Sequence, residues 1–339
     1  MAGFAKKRNA LGHIALSLLL SLVCVKADAQ WKADRPIRII VPWSVGGSTD
    51  GMVRVTAMEM EKALGHPVVV VNQPGASGSI GTQNVVDAPR DGYTFGAGAA
   101  KDLGSYKLLG MVDTTVQNWH LYLTVAHVSV ISVNATLPYR TLEELLAAMR
   151  ARPGEIRVAT AGINSSGHSA MQAISRAAKV EMRQLIYDGG RPAAIAAVAG
   201  EADVTTQLVA EQAVYIRAGR LRPLAVISEH PLHLDGYGRI ESAARAIPGF
   251  TDPPNYFGIF VPKGIPSEML RKLDQIWADK IASSADLQAY ARTHGARFAP
   301  SFGDAAQRNV LPAIQAYAWA QHAAGRTKMS PATLGIPQP

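Results

Sequence analysis

Residues 37–71 read IRIIVPWSVGGSTDGMVRVTAMEMEKALGHPVVVV. The run 37–41 is short, β-branched and closed by Pro42, the pattern of a buried strand. Residues 50–64 read as a helix, with Ser48 or Thr49 as its cap and Gly65 as its stop. Residues 67–71 are a second strand. A strand that returns through a helix to another strand predicts α/β architecture with a parallel, doubly wound sheet.

The same rhythm extends along the chain. Strands are expected at 93–98, 128–134, 156–162, 182–187, 221–228 and 256–262. Helices are expected at 79–87, 169–178 and 192–199, and at 141–151, where Thr141 and Glu144 form a capping box. Residues 267–324 read as mostly helical. The last dozen residues, with Pro331, Pro337 and Pro339, read as a loose tail.

Three loops at strand ends share one composition: PWSVGGSTD, NQPGASGSIG and TAGINSSGHS. Ligands of open α/β sheets bind outside the carboxyl ends of the strands. Glycines admit a ligand close to the backbone, and helix N-termini offer unpaired N–H groups and partial positive charge. Such loops can hold a carboxylate or phosphate without a lysine. Taken alone, each loop reads first as an ordinary turn in which Ser48, Thr49, Ser79 and Ser165 cap helices. Lys101 follows the third strand and has two readings, an anion contact or an ion pair with Asp102. Trp43 either walls a ligand or packs under its loop.

The N-terminus is set apart from the fold. Lys6, Lys7 and Arg8 precede the apolar run Ile14–Val25, and Ala27-Asp28-Ala29 offers a cleavage site. This is the pattern of a secretory signal peptide over 1–29, cleaved near Ala29. Cys24, the only cysteine, lies within it, so the mature chain carries no disulfide, catalytic thiol or cysteine metal site. An exported chain without disulfides suits a bacterial periplasm. Apolar residues make up 48% and charged residues 18%, enough for a packed core. The formal charge of +8 falls to +5 without the signal, and no basic cluster with interleaved aromatics suggests nucleic acid.

Catalytic motifs are absent. There is no G-x-S-x-G elbow, Walker A loop or H-E-x-x-H, and GASGSIG is not a dinucleotide fingerprint. Ser165 and His168 share one tight loop, which rarely places a nucleophile on its base. His230, His233 and Asp235 have only crude metal spacing in a Pro- and Gly-punctuated loop. No cofactor, metal or enzymatic activity is expected.

RPIRIIVPWSVGGSTD and LGHPVVVVNQPGASGSIGTQNVVDAPRDGYTF together resemble the solute receptors of tripartite tricarboxylate transporters, also called Bug receptors. The likeness continues through GINSSGHSAM, YDGGRPAAIAAVAGEADV, AGRLRPLAV and FGIFVPKGIP. It implies a two-domain periplasmic binding protein of the type II, flytrap kind, with a doubly wound mixed sheet in each domain. Domain 1 would comprise 30–125 plus 228–325 and domain 2 residues 126–227, with 326–339 as the tail. The implied function is capture of a small organic carboxylate and delivery to a membrane transporter, by a monomer. A sensor presenting ligand to a membrane signalling partner and a Ser165/His168 hydrolase are the alternatives.

Carried over residue by residue, the resemblance implies a carboxylate clamp of Trp43, Ser44, Val45, Gly46, Gly47 and Ser48 with Ala76, Ser77 and Gly78. The opposing side would be Thr160, Gly162, Ser165 and His168, with Tyr187 and Asp188. Asp50 would brace loop amides or cap the helix. Between Gly96 and His120 the family's N-P and P-Y-D elements are missing, which puts the distal pocket, including Lys101, outside the pattern.

Overall fold

A computed structural model describes residues 34–250 and 252–339. The expected signal peptide, its cleavage near Ala29 and Cys24 lie outside the described residues. In chain order the strands are β1 (Ile37–Val41), β2 (Val68–Asn72), β3 (Thr94–Ala99), β4 (Trp119–His127), β5 (Ser129–Asn134), β6 (Arg157–Thr160), β7 (Arg183–Ile186), β8 (Val204–Thr205), β9 (Leu221–Ile227), β10 (Leu232–Leu234), β11 (Gly238–Ile240), β12 (Asn255–Pro262) and β13 (Ala296–Phe302).

Two mixed sheets carry the fold. The first runs β13-β4-β12-β3-β1-β2 and the second β7-β6-β8-β5-β9. Each has a parallel half, as the strand–helix rhythm predicts: β1 lies parallel to β2 and β3, and β6 to β7 and β8. Each also has an antiparallel half that the rhythm does not predict. β12 runs antiparallel to β3 and β4, and β5 to β8 and β9. The chain passes from the first sheet to the second through Val128 alone, between His127 and Ser129. It returns after Ile227 through the β10–β11 hairpin and re-enters the first sheet at Asn255.

Each sheet has its own packed layer. Trp119, Tyr106, Leu108, Phe260 and Ile314 cluster beside the first. Leu145, Met149, Val158 and Ile174 cluster beside the second. In the helix Leu142–Ala151 the buried residues Leu142, Leu145, Leu146 and Met149 follow a 3.6-residue stripe. Thr141 Oγ1 accepts the Glu144 N–H at 3.2 Å, one half of the expected capping box, while the Glu144 carboxylate accepts the Arg140 N–H in place of the Thr141 N–H. The elements around each sheet are called a lobe below.

Two expectations are corrected and one is sharpened. Residues 267–324 are mostly helical, as expected, but β13 interrupts them and pairs with β4 at the sheet edge. Pro300 is tolerated there because only one flank of an edge strand is hydrogen-bonded. The tail is not loose. Ile336 is 3% exposed and joins the first lobe's core, Trp319 Nε1 donates to the Ile336 and Pro337 carbonyls, and the Lys328 N–H donates to the Leu108 carbonyl. Finally, the helix Ser48–Leu64 is capped by Gly47, with Ser48 and Thr49 already in its first turn.

Candidate ligand site

The loops after β1 and β2 meet the loops after β6 and β7. In the first loop Gly46 takes φ +77°, a left-handed conformation open to glycine. Its N–H donates to Asp50 Oδ2 at 2.9 Å. Arg54 grips the same carboxylate through Nε (3.1 Å) and Nη2 (2.8 Å). Burial opposes the charge on Asp50, but these donors outweigh it and hold the carboxyl below its ordinary range. Asp50 is therefore the expected brace.

Trp43 lies over Gly78, and the Asn72 side chain donates to the Trp43 carbonyl at 3.0 Å. Val45 points outward, 65% exposed. Ser44 Oγ is buried against Gly189 without a hydrogen-bond partner among the described residues. In the second loop Ala76, Ser77 and Gly78 adopt φ +46°, +56° and +85° in succession. Two of these are not glycine, and each such residue costs on the order of 1–3 kcal/mol of strain.

The second lobe closes on this surface. Ser77 Oγ accepts the Ile163 N–H at 3.1 Å. Gly162, at φ +107°, makes this approach possible, since a Cβ there would sit 2.3 Å from Ser77 Oγ. Arg191 Nε donates to the Gly46 carbonyl. Ser165 caps the helix Ser166–Ala178, accepting the His168 N–H at 3.1 Å and donating to the Gly162 carbonyl at 2.8 Å. The His168 ring turns to Gln172 (2.7 Å), and burial lowers its pKa to about 4. The Ser165 hydroxyl and the His168 ring are thus engaged apart from each other, and no nucleophile–base pair is assembled.

Other expected contacts point elsewhere. Thr160 Oγ1 accepts from Gln184 at 2.5 Å, within its own sheet. The Tyr187 hydroxyl donates to Glu201 at 3.1 Å, and its ring packs on the cluster of Ala159, Ala193, Ala196 and Ala202. Asp188 is exposed. Lys101 makes the expected ion pair with Asp102, buried rather than solvated. Its Nζ lies 2.8 Å from Asp102 Oδ1, 3.2 Å from the Asn164 carbonyl and 4.6 Å from the Tyr317 ring centroid. It also lines a cavity of about 550 Å³ with His127, Arg176, Asp252 and Tyr317. Burial pushes Asp252 up to about 7 against the pull of Lys101 and Arg176.

Glu211, on the helix Val209–Arg217, escaped the sequence reading. Its Oε1 accepts from Ser48 Oγ at 2.9 Å and, more weakly, from the Ser48 N–H at 3.5 Å. Its Oε2 accepts the Leu208 N–H at 3.2 Å. Burial raises its pKa against these hydrogen bonds and the nearby Arg191 charge. The remaining cavity, bounded by Trp43, Ser48, Asp102, Ser165, Gly190 and Glu211, holds only about 20 Å³. Arg191 was visible in the loop DGGRP, but nothing local in the sequence marks Glu211 as its neighbour or as a partner of Ser48.

The model of the tripartite tricarboxylate transporter family receptor (TctC) matches residues 52–315. A UPF0065 protein encoded in the tcbD–tcbE intergenic region of Pseudomonas sp. (strain P51) is 33% identical over 274 residues, 79% of this chain and 80% of the relative. Among solved structures, periplasmic binding protein BugD superimposes with TM-score 0.80 at 24% identity, covering 88% of this chain and all of BugD's. Rpa4515 of R. palustris, solved with adipate, gives TM-score 0.78 at 25% identity, covering 86% and 98%.

Proposed function

The chain belongs to the tripartite tricarboxylate transporter receptor family, and from that premise we propose a periplasmic solute receptor that takes a small organic carboxylate between its lobes. A ligand captured as the lobes part would be held as they close again and then delivered to the membrane components of a transporter. In this reading the chain is exported by its N-terminal signal, cleaved near Ala29, and acts as a monomer.

One observation carries the reading. The first turn of the helix after β1 donates a backbone N–H and a hydroxyl, both from Ser48, to a carboxylate held between the lobes. In this structure that carboxylate belongs to Glu211. Backbone and hydroxyl donors fixed by a helix start are a pre-organised anion grip, needing no reorganisation when the anion arrives. The adipate bound by the relative Rpa4515 has carboxylates of the same kind.

The lobes would move as two bodies, one built on each sheet, with residues 234–250, which pack on the second sheet, moving with the second lobe. Val128 and the stretch just before Asn255 would be the crossings that bend. A rigid loop face on each lobe then closes on the ligand like a trap. Lys101 would face the ligand's distal end only if the large cavity joins the closed site.

A thermal-shift screen of the mature protein against di- and tricarboxylates, aromatic acids, amines and sugars tests this, with adipate as the first probe and calorimetry on every hit. Carboxylates should raise the melting temperature by an amount that grows with the logarithm of one plus the ratio of free ligand concentration to Kd. Stabilisation by amines or sugars, with none by acids, would sink the reading. Pull-down from membranes distinguishes a transporter partner from a signalling one.

A further inference from the structure

Resting on that carboxylate-receptor reading, we propose that Glu211 is an internal ligand: its carboxylate occupies the clamp in the empty receptor, and a ligand carboxylate binds by displacing it. The hydrogen bonds supply the first argument. Oε2 completes an ordinary helix cap with the Leu208 N–H, and that cap needs nothing from the other lobe. Oε1 does something a cap does not require. It reaches across 163 residues of sequence to Ser48 Oγ and the Ser48 N–H at the start of the helix Ser48–Leu64.

The kind of partner is the second argument. None of the ion pairs among the described residues includes Glu211. Arg191, the nearby cation, directs its Nε to the Gly46 carbonyl instead. Glu211 is held by neutral dipoles, the backbone and hydroxyl donors that would serve a bound acid. Gln207 adds another: with its amide nitrogen turned inward it lies 3.1 Å from Oε2, and its oxygen then accepts the Ala161 N–H at 2.8 Å.

Space is the third argument. Gly190 closes over the carboxylate so tightly that a Cβ there would lie 2.0 Å from its carbon. The cavity beside it, about 20 Å³, has room for about one water. A ligand carboxylate and the Glu211 carboxylate cannot both meet Ser48. The acid that wins must bring enough further contacts to overcome a competitor already tethered in place. Glu211 therefore sets the threshold of affinity below which acids are ignored, and it holds the lobes shut when no acid is present.

Two measurements test this on the mature chain, using Glu211→Ala and Glu211→Gln. Small-angle scattering without ligand reads closure alone. Wild type should be compact and Glu211→Ala expanded, with Glu211→Gln, which keeps an acceptor for Ser48, intermediate. Calorimetry with adipate, malate and citrate reads competition, and the acids that bind should gain about tenfold in affinity or more in Glu211→Ala. Unchanged ligand-free dimensions in both variants, or weaker acid binding by folded Glu211→Ala, would overturn the proposal. If no acid binds any variant, the carboxylate reading fails. The scattering comparison still decides whether Glu211 holds the lobes together.

Discussion

The Ser48 hydroxyl lies 2.9 Å from Glu211 Oε1, and this single contact joins the start of a helix on one sheet to the start of a helix on the other. Both residues are buried, at 5% and 6% exposure, so the bond is made away from water. A hydrogen bond to a buried carboxylate contributes about 1.5–3 kcal/mol, and its loss strands the acceptor. Ser48→Ala should therefore lower ligand-free stability by about 1.5–3 kcal/mol in urea unfolding. A change within error would mean that the two lobes do not meet here in solution.

Gly162 makes the neighbouring contact possible. Any side chain must coexist with φ +107° and with Ser77 Oγ at 2.3 Å from its Cβ. Gly162→Val should keep the strands and helices of each lobe, seen as an unchanged far-ultraviolet spectrum. It should hold the lobes apart, seen as a larger radius of gyration with and without acid, and weaken acid binding by about tenfold or more. Binding as tight as wild type would show that the loop after β6 does not approach Ser77.

The first helix, its flanking strands and the glycine loops were legible because their signals are local. β-branched runs, Pro42 and Gly65 punctuate residues 37–71 without help from elsewhere. β4 was harder. Trp119, Leu121, Tyr122, Leu123 and Val125 are all buried, so the strand lacks the alternation that marks a half-exposed one. β13 hides behind Pro300 and between helices. Of the site, Asp50 could be placed because its partners Gly46 and Arg54 lie four residues away on either side. Glu211 could not, since its pairing with Ser48 exists only once both sheets are assembled. The turn of Thr160 and Tyr187 toward Gln184 and Glu201 is likewise a choice among several partners that spacing does not make.

His127 gives the acid limb of stability an early onset. It is 1% exposed, neither ring nitrogen has a hydrogen-bond partner among the described residues, and burial lowers its pKa to about 3, with His294 adding to the effect. An unfolded histidine titrates near pH 6.5. The neutral folded ring therefore contributes stability in full above about pH 6.5, and that contribution falls away from there down toward the folded value. The slope is about 1.4 kcal/mol per pH unit. His127→Phe keeps an aromatic ring against Phe257 and Tyr290 and removes the titration. Urea unfolding at pH 7.5, 6.5 and 5.5 should show the variant at least as stable as wild type at the highest pH and clearly more stable at the lowest. Parallel pH profiles would mean that His127 gains a proton or a partner in the folded state.

The C-terminal segment gives a prediction on which the sequence reading and the structure disagree outright. A loose tail would tolerate any change at its end. In the structure Ile336 is buried with Trp119 and Ile314 in one cluster, and Trp319 Nε1 anchors the chain on both sides of the Ile336–Pro337 peptide. The turn Pro331–Leu334 leads the isoleucine back under the helix Gly303–Ala323. Truncating a buried isoleucine to alanine removes its transfer energy and leaves a void, together costing about 2–5 kcal/mol. Ile336→Ala should lower the urea-unfolding free energy by about 2–4 kcal/mol, nearer the low end if the chain terminus relaxes into the gap. Gln338→Ala, two residues further on and exposed, should change it by less than about 0.5 kcal/mol. Equal, negligible effects at the two positions would restore the loose tail. A large effect at Ile336 alone makes the last residues part of the first lobe's core.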